Sequence, residues 1–329
     1  MNKIAVIGSN SFSGSHFVDM LLEERDSEVL GLSRSPEKSA LFLPYKKRDT
    51  SRFRFFQMDL NRDIDRLMNL FDTEKPEVIV NFAAQSEVGP SWENPEHWFR
   101  TNCLGIVNLT NKLKEREYLK RYVHISSPEV YGTCVGTVKE DAPFNPSTPY
   151  AASKAAGDMF IQVLIRNFNF PAILIRSTNV YGPGQQLFKI IPRSIIYLKM
   201  GKKIALHGGG LAVKSYIHIR DISRGELAAV KNGRPGSIYH LSPESGYAVR
   251  DVVRKICDLM GRDFEASTAS VGERLGQDAA YVIDSSRARE ELGWYPKITL
   301  EEGLAEVIDW VEDYWGQIQE EPLDYIHKP

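Results

Sequence analysis

The chain is short of everything that would tie it to a membrane, a metal or an oxidising compartment. Its three cysteines, Cys103, Cys134 and Cys257, stand far apart and in no C-x-x-C arrangement. They read as reduced, partly buried thiols, and no metal site is expected. No apolar run reaches the roughly 20 residues that a membrane-spanning helix needs. Charge of one sign is missing too: the formal net charge is −2, from 41 basic and 43 acidic residues dispersed along the chain. That balance excludes the electrostatic footprint of a nucleic-acid or anionic-membrane binder. The first apolar run, Lys3 to Gly8, leaves no room before it for a cleaved leader, so a cytoplasmic protein is expected.

What is present is an ordinary globular composition. The 329 residues are 42% hydrophobic and 26% charged, enough for one large domain or two moderate ones. Apolar runs of strand length recur: "KIAVIG", "EVLGLS", "RFFQMD", "EVIVNFAA", "YVHISS" and "PAILIRSTN". Amphipathic segments such as Ser15 to Arg25 and Ile106 to Arg116 separate them. Near-continuous apolar strands between helices predict an α/β fold with a doubly wound parallel sheet over about residues 1–180, to which the chain returns around 215–242. Beyond "NVYGPGQQ" the elements shorten, with punctuation at "HGGG", "NGRPG" and "SPESG". Residues 181–329 are read as a smaller substrate-binding region closing over the sheet. Ligands of such folds lie beyond the carboxyl ends of the strands.

One strand end suits a dinucleotide. In "VIGSNSFSGSHF", Gly8 and Gly14 bracket Ser11 in a turn between strand and helix, where a backbone can approach a pyrophosphate at a helix N-terminus. Ser11 stands where a middle glycine is usual, which is tolerable at negative φ. The second strand ends in Ser33 and Arg34 rather than an acid, a hydroxyl and a guanidinium suited to a 2′-phosphate, so NADP is favoured over NAD. Asp59 closes "FFQMD" where it can hold an adenine amino group.

A second strand end suits proton chemistry. "TPYAASKAAG" places Tyr150 and Lys154 one helical turn apart on one face. Downstream of a dinucleotide turn, and with Ser127 ending the preceding strand, this pattern resembles the extended short-chain dehydrogenase/reductase family over nearly the whole chain. The resemblance implies that Tyr150 is the acid/base, that Ser127 hydrogen-bonds the reacting oxygen, that Lys154 is the activating ammonium, and that Asn102 positions it. A phenol of ordinary pKa near 10 must ionise near neutrality, a cost of about 4 kcal/mol that neighbouring positive charge has to supply.

Further segments resemble one branch, the nucleotide-sugar dehydratases and epimerases: "NFAAQSEV", "RSTNVYGPGQ" and "ERLGQDAAYVIDSSRAREELGW". The branch implies cofactor contact at Ala83 and nucleotide-sugar contacts at Ser86, Glu87, Asn179, Lys189, Lys214 and Arg274. Glu87 stands in place of a usual histidine, and Lys214 in place of a usual arginine. The strand end Ser126-Ser127-Pro128-Glu129 keeps the hydroxyl and the glutamate of the 4,6-dehydratases, but Pro128 replaces an acid. Glu129 is then the candidate base for a C5 proton in a 4,6-dehydratase. Pro128 restricts Ser127 to extended backbone. An epimerase at C4 or C5, a 5,6-dehydratase and a non-catalytic NADP-binding regulator share much of this set. The resemblance also implies a homodimer through helices beginning near Glu96 and Tyr150, which carry extra apolar residues at Met159, Phe160 and Val163.

Overall fold

The computed structural model describes residues 2–133, 137–272 and 280–329. Strands β1 (Asn2–Ile7), β2 (Ser27–Ser33), β3 (Phe53–Gln57), β4 (Val78–Asn81), β5 (Arg121–Ile125) and β6 (Ala172–Ser177) join a seventh, Ile238–Leu241, in one sheet. Every pairing is parallel. Its order is β3-β2-β1-β4-β5-β6 and then Ile238–Leu241, so the direction of winding reverses between β1 and β4. That switch point opens a crevice at the carboxyl ends of the strands.

The alternation of side chains along each strand feeds two cores. Ile4 and Val6 of β1 face one core with Phe17 and Val18 of helix α1 (Phe12–Glu24). Ala5 and Ile7 face the other, with Leu67 and Phe71 of α2 (Ile64–Glu74). β5 and β6 repeat the split, Val123 and Ile175 against Tyr122 and Leu174. Burying each large apolar side chain contributes roughly 1.5–3 kcal/mol, which is why both faces of the sheet are covered.

Helix α1 begins earlier than its apolar pattern suggested. Ser11 caps it, accepting a hydrogen bond from the Gly14 amide at 3.1 Å. The expected helix at Ile106 is the last part of a longer helical run: α3 (Pro95–Phe99), a π-turn over Arg100–Gly105, then α4 (Ile106–Leu113). Alongside it runs α5 (Pro149–Phe168), capped by Thr148. On these helices Phe99, Leu104, Met159 and Val163 are exposed. Phe160, grouped with them on sequence grounds, is partly buried and packs into the sheet's core instead.

The later residues form a separate core around α6 (Ile190–Lys199), Val249–Leu259 and Leu300–Asp313, with Ile195, Val252, Ile256, Leu304 and Val307 buried together. Short strand pairs accompany it, among them Asn179–Tyr181 with Tyr216–His218, and Val213–Lys214 with Tyr247–Ala248. Among the described residues no helix is long and apolar enough to cross a membrane.

Candidate active site

The turn after β1 is made by backbone proximity. Gly8 sits at φ 88°, and a Cβ there would meet the Ala83 nitrogen at 2.8 Å. A Cβ on Gly14 would meet the Gly8 carbonyl oxygen at 2.2 Å. Neither position has room for a side chain, so the turn lies hard against the residues following β4. Ser11 is extended, at φ −74°, so its place in the turn carries no strain. Ser33, buried at the end of β2, accepts a hydrogen bond from the Asn10 amide at 2.9 Å and pins the turn to the second strand. A glycine turn at the N-terminus of a thirteen-residue helix is a fitting cradle for a pyrophosphate, with Gly8, Ser11, Gly14 and Ala83 around it.

Asp59 folds back on its own loop, accepting from the Asn61 amide at 2.8 Å. With Arg62, Arg100, Asn108 and Pro329 it lines a cavity of about 290 Å³. The Arg34 guanidinium donates to the main-chain oxygens of Lys328, at 3.0 Å, and Pro329, at 2.5 Å.

At the other end of the crevice, Ser127 follows β5 with φ −146° and ψ 144°, the extended geometry that the following proline imposes. Its hydroxyl accepts from the Glu129 amide at 3.2 Å and caps a short 3₁₀ turn, Pro128–Tyr131. The same hydroxyl favours the ionised form of the Tyr150 phenol. Burial and then the charge of Glu129 raise the phenol above its ordinary pKa, with a smaller contribution from Glu87, so without a ligand Tyr150 is protonated. Ser127 and Glu129 therefore act on Tyr150 in opposite directions.

Lys154 is buried and reaches downward, donating to the Ile125 carbonyl at 2.8 Å and lying 3.4 Å from His124 Nε2. Burial lowers its pKa to about 8, opposed by Asp158. Asp158 accepts from Ser126 at 2.7 Å and from Arg176 at 2.8 Å, all in the interior. Burial, aided by the Lys154 and Arg176 charges, holds His124 neutral, well below its ordinary pKa. The sequence reading missed His124, Ser126, Asp158 and Arg176. Their signal was present: Asp158 is four residues beyond Lys154 on one helical face, His124 and Ser126 are two apart at the end of β5, and Arg176 is a charge inside an apolar strand.

Among the described residues Asn102 and Lys154 share no hydrogen bond. From the π-turn the Asn102 side chain exchanges two 2.9 Å hydrogen bonds with the Gln85 main chain and donates to Ser153 at 3.0 Å, tying the loop after β4 to α5 next to the lysine. Lys189 and Glu87 form an ion pair at 2.7 Å, and Ser86 lies 3.5 Å from the Glu87 carboxylate. The Asn179 amide donates to the Ser215 carbonyl at 3.3 Å, beside Lys214 in the next short strand. Arg274 lies outside the described residues.

A doubly wound sheet with a glycine turn after β1 and a Ser-Tyr-Lys set after β5 defines an extended short-chain dehydrogenase/reductase of the nucleotide-sugar branch. Residues 6–307 match the model of the GDP-mannose 4,6 dehydratase family, and the chain belongs to that family. A trifunctional UDP-glucose 4,6-dehydratase/3,5-epimerase/reductase of Arabidopsis thaliana is 31% identical over 96% of this chain, which spans only 48% of that relative's length. The dTDP-glucose 4,6-dehydratase DesIV of Streptomyces venezuelae, solved with NAD bound, superposes with a TM-score of 0.89 at 30% identity, over 96% of this chain and 98% of its own. A UDP-glucuronic acid 4-epimerase of Bacillus cereus, solved with UDP-glucuronic acid and NAD, has a TM-score of 0.86 at 26% identity, covering 94% and 99%. These neighbours hold NAD, and the guanidinium on which the expectation of NADP rested donates to main-chain oxygens.

Proposed function

We propose that the protein is an NAD-dependent nucleotide-sugar 4,6-dehydratase that converts an NDP-hexose to an NDP-4-keto-6-deoxyhexose. The feature that carries this reading is Glu129, whose backbone amide donates to the Ser127 hydroxyl and whose charge raises the Tyr150 phenol. An enzyme that only oxidises C4 needs the hydroxyl and the phenol; the carboxylate adds a group able to remove a proton from the neighbouring carbon. Gly8, Gly14, Ser11, Ser33 and Ala83 would hold the dinucleotide, which supplies reversible acceptance of hydride.

Ser127 orients the C4 hydroxyl, and Tyr150 takes its proton once positive charge in the loaded site offsets the burial that keeps the phenol protonated. Lys154 contributes part of that charge; Asn102 acts through Ser153 and Gln85 as a positioning residue. With C4 a ketone, the C5 proton is acidic and Glu129 removes it. Pro128 has no proton to give, so Glu129 hands the same proton to the departing C6 hydroxyl. Water leaves, and a solvent proton placed on C5 balances the hydride that a bound dinucleotide would return to C6. Glu87, Lys189, Asn179, Lys214 and Arg274 are the candidate nucleotide-sugar contacts, and Arg suits a diphosphate through its fork of donors.

Pro128 and the fold likeness to a 4-epimerase favour one alternative, an NDP-sugar epimerase on the same scaffold. Mass spectrometry after incubation with dTDP-glucose and UDP-glucose, then with other NDP-hexoses, separates them. Loss of one water is expected, and Glu129→Gln should abolish it; an isomer of unchanged mass supports the epimerase. A second copy of the chain is the proposed cover for the exposed face of Phe99, Leu104, Met159 and Val163, and a monomeric mass in light scattering would contradict it.

A further inference from the structure

The segment Leu323–Pro329 runs from α6 to the ends of β2 and β4 and is held at Asp324, Tyr325, His327, Lys328 and Pro329. Asp324 pairs with Arg193 at 2.6 Å. The Tyr325 ring meets Phe188 edge-on, with centroids 5.3 Å apart, and its hydroxyl lies 3.0 Å from His327 Nδ1. The His327 ring stacks on Trp98 at 5.3 Å and 7° and contacts His97 through ring nitrogens 2.8 Å apart. Beyond that anchor the main chain takes over. The Lys328 carbonyl accepts from Gln85 Nε2 at 2.7 Å and from Arg34, and the Pro329 oxygen accepts from Arg34 as well.

The proposal rests on the dinucleotide reading above. We infer that Leu323–Pro329 is a strap that sets dinucleotide specificity, excluding a 2′-phosphate by occupying Arg34 with main-chain oxygens. A guanidinium recognises phosphate through paired donors, and two donors here already face carbonyl oxygens. Those oxygens also put partial negative charge where a 2′-phosphate would meet the guanidinium. A neutral 2′-hydroxyl meets no such repulsion and can donate to an oxygen. Because the contacts to Arg34 are made by the main chain, the identity of the Lys328 side chain is immaterial, whereas the His327 anchor is not.

The test is equilibrium binding of NAD and of NADP, by calorimetry, to protein stripped of bound dinucleotide. The variants are the full chain, a chain lacking residues 325–329, His327→Ala, Lys328→Ala, and the truncation combined with Arg34→Ala. Removing the strap should raise affinity for NADP relative to NAD by about tenfold, the worth of one charge-assisted hydrogen-bond pair. His327→Ala should move the ratio in the same direction, Lys328→Ala should leave it unchanged, and Arg34→Ala should cancel the gain. If the truncated chain does not fold by circular dichroism, the His327→Ala result decides. An unchanged NAD-to-NADP ratio with NAD still bound would overturn the strap alone. Failure of every chain to bind either dinucleotide would overturn the dinucleotide reading, and the strap with it.

Discussion

The two ends of the crevice are built on different principles. At the dinucleotide end the main chain decides: Gly8 and Gly14 are required because a Cβ would lie 2.8 Å and 2.2 Å from backbone atoms, and Arg34 is held by carbonyl oxygens. At the proposed sugar end side-chain charge decides, through the Glu129 charge that raises the Tyr150 phenol and through a buried set of Lys154, His124, Asp158 and Arg176. A steric end tolerates surface change and fails when a methyl is added. An electrostatic end keeps its shape under isosteric substitution and loses its chemistry.

The sharpest way to break the contrast is Tyr150→Phe. The ring keeps its packing, so the melting temperature should hold within a degree or two, while turnover falls about 10²–10⁴-fold for loss of the acid/base; a variant that loses stability and activity together would make the site structural. Next is Asp158→Asn, nearly isosteric, which leaves the Lys154 and Arg176 charges buried without their carboxylate. Breaking such a pair costs about 3–5 kcal/mol, so urea denaturation should show a loss of that order despite unchanged shape.

Acidity sharpens the comparison further. Lys154 has its pKa lowered by burial to about 8. Its charge is present below that value and lost above it, so turnover should fall as pH rises through about 8, with dinucleotide affinity much less affected. A profile flat to pH 10 would remove Lys154 from the chemistry. The smallest effect is remote from both ends. Glu226 of α7 (Ile219–Asn232) is fully buried, has no hydrogen-bond partner among the described residues, and has its pKa raised well above the ordinary value by burial. It folds as the neutral acid, a state favoured at low pH and costly as pH rises. Glu226→Met should stabilise the chain at pH 7 by about 1–3 kcal/mol, read as a higher melting temperature.

Much of this was legible in the sequence where the determinant is local. The strands of the sheet, the extended Ser127 before Pro128, and the Tyr150–Lys154 spacing are set by neighbours a few residues away. Helix α1 starts early because the Ser11 cap outweighs the apolar pattern at its first turn. What escaped was carried by distant contacts. The Lys328 and Pro329 oxygens against Arg34, and the hydrogen bonds of Asn102 to Gln85 and Ser153, join residues far apart in the chain. His124, Asp158 and Arg176 had periodic signals, but only packing shows that they meet.

The central claim is that Glu129 does proton chemistry at C5 before water is lost. The most direct measurement is mass spectrometry of the product formed in deuterated water from the NDP-hexose that reacts. The account predicts a product lighter by one water with one deuterium at C5, and none with Glu129→Gln. Water loss without isotope at C5, or isotope uptake without water loss, would contradict it.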